Sequence, residues 1–451
     1  MKKKVWIVLG SILGVTLLIP LEGGRSFAPQ EKWVARYNGP ARGSDVATAV
    51  AVDGSGNVYV TGGSKGSGTD YDYATIKYNA NGKQLWVKRY DGPAHGWDYA
   101  QAIAVDGSGN VHVTGYVTVS STDRDYSTIK YNANGKQLWV ARYEGPGKGY
   151  DYARAIAVDG SGNVYVTGYV TVSSTDYDYA TIKYDANGKQ LWVKRYNGPA
   201  NGFDDAQAIA VDGSDNVYVT GGSEGSGTGG DHATIKYNTN GKQLWTQRYS
   251  GSGNRKDNAY AIAVDGSGNV YITGYVTVSS VNYDYATIKY NANGKQIWAK
   301  KYNGPANGFD DAYAVAVDGS GNTYVTGVST GSGTGLDYAT VKYNTNGKQL
   351  WAQRYNGPGN MDDTAKAIAV DASGTIYVTG MSEGSGTDLD YGTIMYSTDG
   401  KQLWIKRYNG AYNGNDSARA IAVDGSGNVY VTGSSKGSGK DWSGDYATIK
   451  Y

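Results

Sequence analysis

The strongest constraint on this chain is a twelve-residue phrase, "AVDGSGNVYVTG", which stands at 51–62 and returns unchanged at 157–168 and 422–433, with five near-copies between or beside them. Its Asp falls at Asp53, Asp106, Asp159, Asp212, Asp265, Asp318, Asp371 and Asp424, each 53 residues after the last. A Trp keeps the same beat at Trp33, Trp86, Trp139, Trp192, Trp245, Trp298, Trp351 and Trp404. Self-similarity at a fixed period of this length marks a solenoid, propeller or array, in which each unit is one supersecondary piece that cannot bury its apolar face alone.

The unit over 101–143 shows what that piece is. "QAIAVD" is a short apolar run, "NVHVTG" alternates, and "YSTIKY" and "QLWVARY" are rich in β-branched and aromatic residues. "DGSGN" joins the first two and "NANGK" the last two, with Gly where a positive φ is needed. The mature chain shows no helical periodicity. Four short antiparallel strands, a to d, predict an all-β fold of propeller blades. The small residues of strand a suit the crowded axis. The Trp of strand d suits the periphery, where it fills the gap between neighbouring blades.

The sequence supplies eight such units. A lone strand d, "KWVARY" around Trp33, precedes the first, and the sequence stops at Tyr451 after strand c of the eighth unit. Pairing the N-terminal strand into the last blade removes an open sheet edge, so the expectation is an eight-bladed propeller closed in that way. "DGSGNVYVTG" followed by strand c resembles the bacterial SBBP-type β-propeller repeat, and "YNANGKQLW" is similar to the tryptophan-docking stretch of eight-bladed quinoprotein-like propellers. That resemblance covers nearly all of the mature chain and implies a fold rather than a chemistry, since repeats of this type occur in secreted and surface proteins of mostly unassigned role. The repeat family's name refers to seven blades, whereas eight are counted here.

The first residues read as a secretory signal. "MKKK" leads into an apolar run and then to small residues at Ser26 and Ala28, which predicts a signal peptide over 1–28 and a propeller over 29–451, with an uncleaved anchor as the other reading. The expected location is secreted, periplasmic or at the cell surface, with membrane contact only through an uncleaved signal segment. There is no Cys, which excludes a disulfide framework, a thiolate metal site and a lipoprotein anchor. Loss of the leader takes the formal charge from +1 to slightly negative, which gives no electrostatic case for nucleic acid.

Three Asp recur in every unit. The first, in "DGSGN", has the alternate oxygen spacing of a calcium loop but one carboxylate, and reads as an Asx-type turn. The second begins strand c, as Asp72, Asp125, Asp178, Asp231, Asp284, Asp337, Asp390 and Asp445. With a four-residue c–d loop at 79–82 it faces the basic residue of strand d, Asp72 opposite Arg89, in a cross-strand pair. The third, in the d–a loop, is Asp45, Asp98, Asp151, Asp204, Asp257, Asp310, Asp363 and Asp416. Eight carboxylates round one mouth repel unless they accept backbone N–H groups, lose their charge or share a cation. They are the candidate ligand-binding set, with backbone capping as the structural reading and the nature of any metal left open.

Function follows from what the repeats supply and lack. The d–a and b–c loops share one face, where units 2, 3 and 5 carry "YVTVSS" and others "GSGT"-type loops with aromatic or acidic neighbours, equipment for sugars or peptides. His95, His112 and His232 occupy non-equivalent places and form no triad, and a near-identical eightfold chain offers almost no pocket for a cofactor, so none is expected. The expectation is a non-enzymatic binding or scaffolding propeller, with multivalent recognition of a polysaccharide or an envelope protein as the partner. An enzyme with an axial metal held by the third Asp set, and a purely structural surface component, are the alternatives.

Overall fold

The computed structural model describes residues 30–68, 70–251, 255–437 and 444–451. The expected leader at 1–28, and Trp442 in the b–c loop of the eighth unit, lie outside the described residues. Eight four-stranded antiparallel sheets are arranged as the blades of one ring, and no described residue is helical. Blade 1 runs outward from strand a, Asp45–Val52, through Val58–Lys65 and Tyr71–Tyr78 to strand d, Gln84–Tyr90. Blade 8 takes strands a to c from Ser417–Val423, Val429–Lys436 and Gly444–Lys450, and its outer strand from Trp33–Tyr37, in the register Trp33 opposite Lys450 through Tyr37 opposite Tyr446.

The apolar core lies between blades rather than within them. Ala51, Tyr59 and Tyr73 of blade 1 pack against Ile103, Val113 and Ile129 of blade 2, and across the closure Val50 and Val60 pack against Ala422, Tyr430 and Tyr446. Both faces of strands b and c are therefore covered, which is why "VYVTG" and "ATIKY" carry so little polar side chain.

Each Trp docks on the next blade. The Nε1 of Trp33, Trp86, Trp139, Trp192, Trp245, Trp298 and Trp351 donates to a carbonyl in the c–d turn one blade on, Ala80 for Trp33 at 3.1 Å and Thr398 for Trp351 at 3.2 Å. The strand-c Lys of the same blade shares that acceptor, as Lys77 Nζ does with Ala133 O at 3.0 Å. Gly82 combines a φ of +79° with Trp33 ring atoms 2.7 Å from where a Cβ would stand, so only Gly fits the docked turn. Blade 7 is the exception. Blade 8 has no c–d turn, because its strand d comes from the other end of the chain; Trp404 Nε1 has no partner, and Met395 replaces the Lys whose ammonium would lack its carbonyl.

The cross-strand register differs from the sequence expectation. The c–d loop spans 79–83, Tyr78 stands opposite Gln84, and the register then shifts so that Lys77 opposes Trp86 and Ala74 opposes Arg89. Asp72 is thus diagonal to Arg89 rather than facing it. The ion pair forms regardless, at 2.7 Å, because a guanidinium reaches two residues along the strand.

Candidate functional site

A second bulge, in strand a, builds the site. In blade 1 Ala47 pairs with Gly62 and Ala49 with Thr61, so Thr48 is the extra residue. The same shift occurs in the strand a of every blade. Simple alternation would place residue 48 on the face of Val50 and Val52, but the bulge gives that face to Ala47, which shares their cluster, and turns residue 48 towards the axis. Gly62 makes the bulge possible: a Cβ there would stand 2.0 Å from the Val46 carbonyl oxygen.

The ejected residues are Thr48, Gln101, Arg154, Gln207, Tyr260, Tyr313, Lys366 and Arg419, set between near-constant Ala, Ile and Val. Five different residue types occupy this position, and within strand a only the position two residues earlier, held by Val46, Tyr99, Tyr152, Asp205, Asn258, Asp311, Thr364 and Ser417, varies as widely. Six of the eight bulge residues line a cavity of about 140 Å³ on the axis, together with the alanines flanking them.

Charge around this cavity is unevenly placed. Arg154 meets the buried Asp205 at 3.3 Å, and Gln207 donates to the same carboxylate oxygen at 2.6 Å. Burial pushes the Asp205 carboxyl up to about 6, against the pull of Arg154, and pushes that of Asp311 up to about 8. Lys366 Nζ lies 4.2 Å from the centroid of the Tyr313 ring, and burial followed by repulsion from Arg419 lowers its pKa.

Above the cavity, the face made by the d–a and b–c loops carries an aromatic arc. Rings follow one another from Tyr71 and Trp97 through Tyr99, Tyr116, Tyr152 and Tyr169 to Tyr177 and Phe203, with centroids 4.3–6.2 Å apart. Arg124 lies over Tyr116, Tyr150 and Tyr152. A second arc joins Tyr313, Tyr260, Tyr275, Tyr283 and Phe309. Isolated parallel bridges, such as Tyr177 with Phe203, pin the d–a loop to the preceding blade's strand c. The outermost rings stay accessible: Trp97 is 47% exposed, Phe203 43% and Tyr150 42%.

The third Asp set does not lie on that surface. All eight are buried to 1% or less, and seven of them have one oxygen held by a d–a loop Gly N–H and the other by a strand-b N–H of their own blade, as Asp45 is by Gly39 at 2.6 Å and Lys65 at 3.0 Å. Asp416 follows the same scheme with Gly410 at 2.5 Å and Lys436 at 2.9 Å. The blades fall into two classes here. In blades 1, 4, 6, 7 and 8 a strand-b Ser adds a hydroxyl, and Arg89-type guanidiniums bind that Ser, the second Asp and a Tyr of the preceding blade. In blades 2, 3 and 5 a Val stands there, and burial pushes Asp98 and Asp151 up to about 7 and Asp257 to about 6.

The other candidates are tied into the fold. Asp53 accepts Ser55 and Asn57 N–H on one oxygen and the Asn57 amide and Tyr59 hydroxyl on the other, an Asx turn with its acceptors used. His112 takes a Tyr position and contacts Asp106, His232 bonds the Tyr275 carbonyl at 2.8 Å, and His95 pairs with Asp91 at 2.6 Å. Among the described residues, Asp72, Asp91 and Asp98 bring carboxylate oxygens within 4.8 Å of one another. Arg89 neutralises Asp72, and both Asp98 oxygens already accept N–H groups.

The family models that match this chain agree with its architecture. A family model described as outer membrane protein assembly factor BamB matches residues 72–334, and a β-propeller repeat model matches 32–68 and 403–439. An uncharacterized WD repeat-containing protein of Acanthamoeba polyphaga mimivirus is 23% identical over 79% of this chain, which spans 31% of that protein's length. Among solved structures, a protein of unknown function from Dyadobacter fermentans is 9% identical, with a TM-score of 0.44 over 93% of this chain and 98% of that one. The β-propeller domain of the Trilobed protease from Pyrococcus furiosus is 10% identical, with a TM-score of 0.43 over 74% and 92%.

Proposed function

The chain belongs to the family described as outer membrane protein assembly factor BamB, and from that premise we propose a non-enzymatic binding propeller of the cell envelope that seats one glycan chain across its d–a and b–c loop face. The envelope placement rests on the family description and on the leader-like first residues. The observation that carries the binding reading is the distribution of difference: the shared Trp, Tyr and Asp residues hold the blades together, while the inner-strand residues that vary converge on one funnel.

The third Asp set, the shared residues expected to build eight equivalent weak sites, is buried. One asymmetric site has the axial ring, the aromatic arcs and their exposed edges. Accessible Trp97, Tyr150 and Phe203 offer flat apolar area at small entropy cost, which suits the faces of sugar rings.

Titration calorimetry of the mature protein against neutral and acidic oligosaccharides, with proline-rich and acidic peptides as controls, tests the reading. Trp97→Ala and Phe203→Ala are each expected to weaken glycan binding about tenfold, the worth of one aromatic contact, without moving the Tm. Peptide binding with indifference to every glycan would replace this function with protein scaffolding.

A further inference from the structure

We propose that the axial cavity is a carboxylate site, in which Lys366 and Arg419 hold an acidic group of the seated glycan. The inference rests on the single-site reading above and names the chemistry of its ligand.

Three of the eight bulge residues are cationic and none is acidic. Arg154 has its counter-charge in Asp205. Lys366 and Arg419 stand on adjacent blades, line the same cavity of about 140 Å³, and form no ion pair among the described residues. They act on each other instead, since Arg419 disfavours the charged form of Lys366. Two like charges converging at a half-buried mouth are unfavourable unless an anion joins them. Nothing in the fold demands them there, because Thr48 and Gln101 fill the same bulge position in other blades.

A guanidinium and an ammonium at one mouth suit a carboxylate, and inorganic phosphate is the anion the test sets against it. A guanidinium matches the two oxygens of a carboxylate with parallel N–H groups, and the ammonium adds a point charge beside them. Tyr99 of the first aromatic arc lies within electrostatic range of Arg419, so a uronic acid residue can place its carboxylate in the cavity and its neighbours on the rings.

Two measurements on the full mature chain test this. First, the Tm is followed in sodium glucuronate, glucose and inorganic phosphate at constant ionic strength, for wild type and for the Lys366→Gln, Arg419→Gln double variant. Gln already occupies two blades at this position, so the variant preserves the fold, and its unliganded Tm verifies that. Glucuronate is expected to raise the wild-type Tm and glucose not, with the response lost in the double variant. An equal response in the variant, or none in wild type, overturns the site; a stronger response to phosphate overturns the carboxylate assignment. Second, calorimetry with a hexauronate and its carboxyl-reduced counterpart should show at least tenfold weaker hexauronate binding in the variant. Binding of both hexamers alike, unaffected by the variant, would leave the glycan reading standing and sink this inference. A glucuronate response through Lys366 and Arg419 without hexamer binding would do the reverse.

Discussion

At the residue scale, one hydroxyl divides the blades. Where strand b carries Ser, the third Asp gains a donor and the strand-d Arg is locked; where it carries Val117, Val170 or Val276, the Asp is left to burial and two N–H groups. A carboxyl whose pKa is raised on folding binds its proton more tightly in the native state. The stability it contributes is full below the ordinary carboxylate range near 4 and is lost as pH rises through the folded value. With Asp98 and Asp151 at about 7 and Asp257 at about 6, the Tm should fall from pH 4.5 to pH 8. Val117→Ser should recruit Arg142, lower the Asp98 value and flatten that slope; a variant with the wild-type slope would contradict the assignment. Met395 supplies a second residue-scale test. Met395→Lys places an ammonium where blade 8 has no c–d carbonyl and should cost about 1–3 kcal/mol in urea unfolding. Trp351→Phe should cost about 1 kcal/mol for its lost bond to Thr398, and Trp404→Phe less, because its Nε1 bonds nothing.

At the element scale, the strand that closes the ring comes from the far end of the chain. Deleting 31–37 exposes the edge of Gly444–Lys450 and removes Trp33 from between Tyr78 and Tyr430, an aromatic loss of up to about 3–5 kcal/mol before the lost ladder bonds are counted. A clear drop in Tm or a shift to oligomers is expected, and an unchanged monomer of unchanged Tm would refute the closure. Strand number, strand order and this closure were legible in the sequence because a fixed period repeats each signal eight times. The two bulges were not. "QLWVKRY" and "AQAIAV" read as plain alternation, and nothing in their spacing says that Leu85 or Gln101 is the extra residue. The axial site was missed for that reason, although its signal was present: two freely varying letters, the bulge residue and the one two places before it, in an otherwise near-constant inner strand. The third Asp set drew attention by recurring, and recurrence in a ring of blades reports what every blade needs to hold itself together.

On the scale of the whole molecule, near-identical units build a symmetric frame, and a few positions per blade break the symmetry at its axis. Strand a contributes the residue at 46, 99, 152 and onward as well as the bulge residue, and strand b the residue paired with the first, such as Tyr116 opposite Tyr99. Because these side chains meet in one funnel, their differences combine into a single surface instead of eight. The most direct test is the stoichiometry of binding, measured by calorimetry with a hexauronate on residues 29–451. One molecule per chain is the predicted result, with affinity lost in the Lys366→Gln, Arg419→Gln variant; several equivalent molecules per chain, insensitive to those residues, would contradict a single axial site.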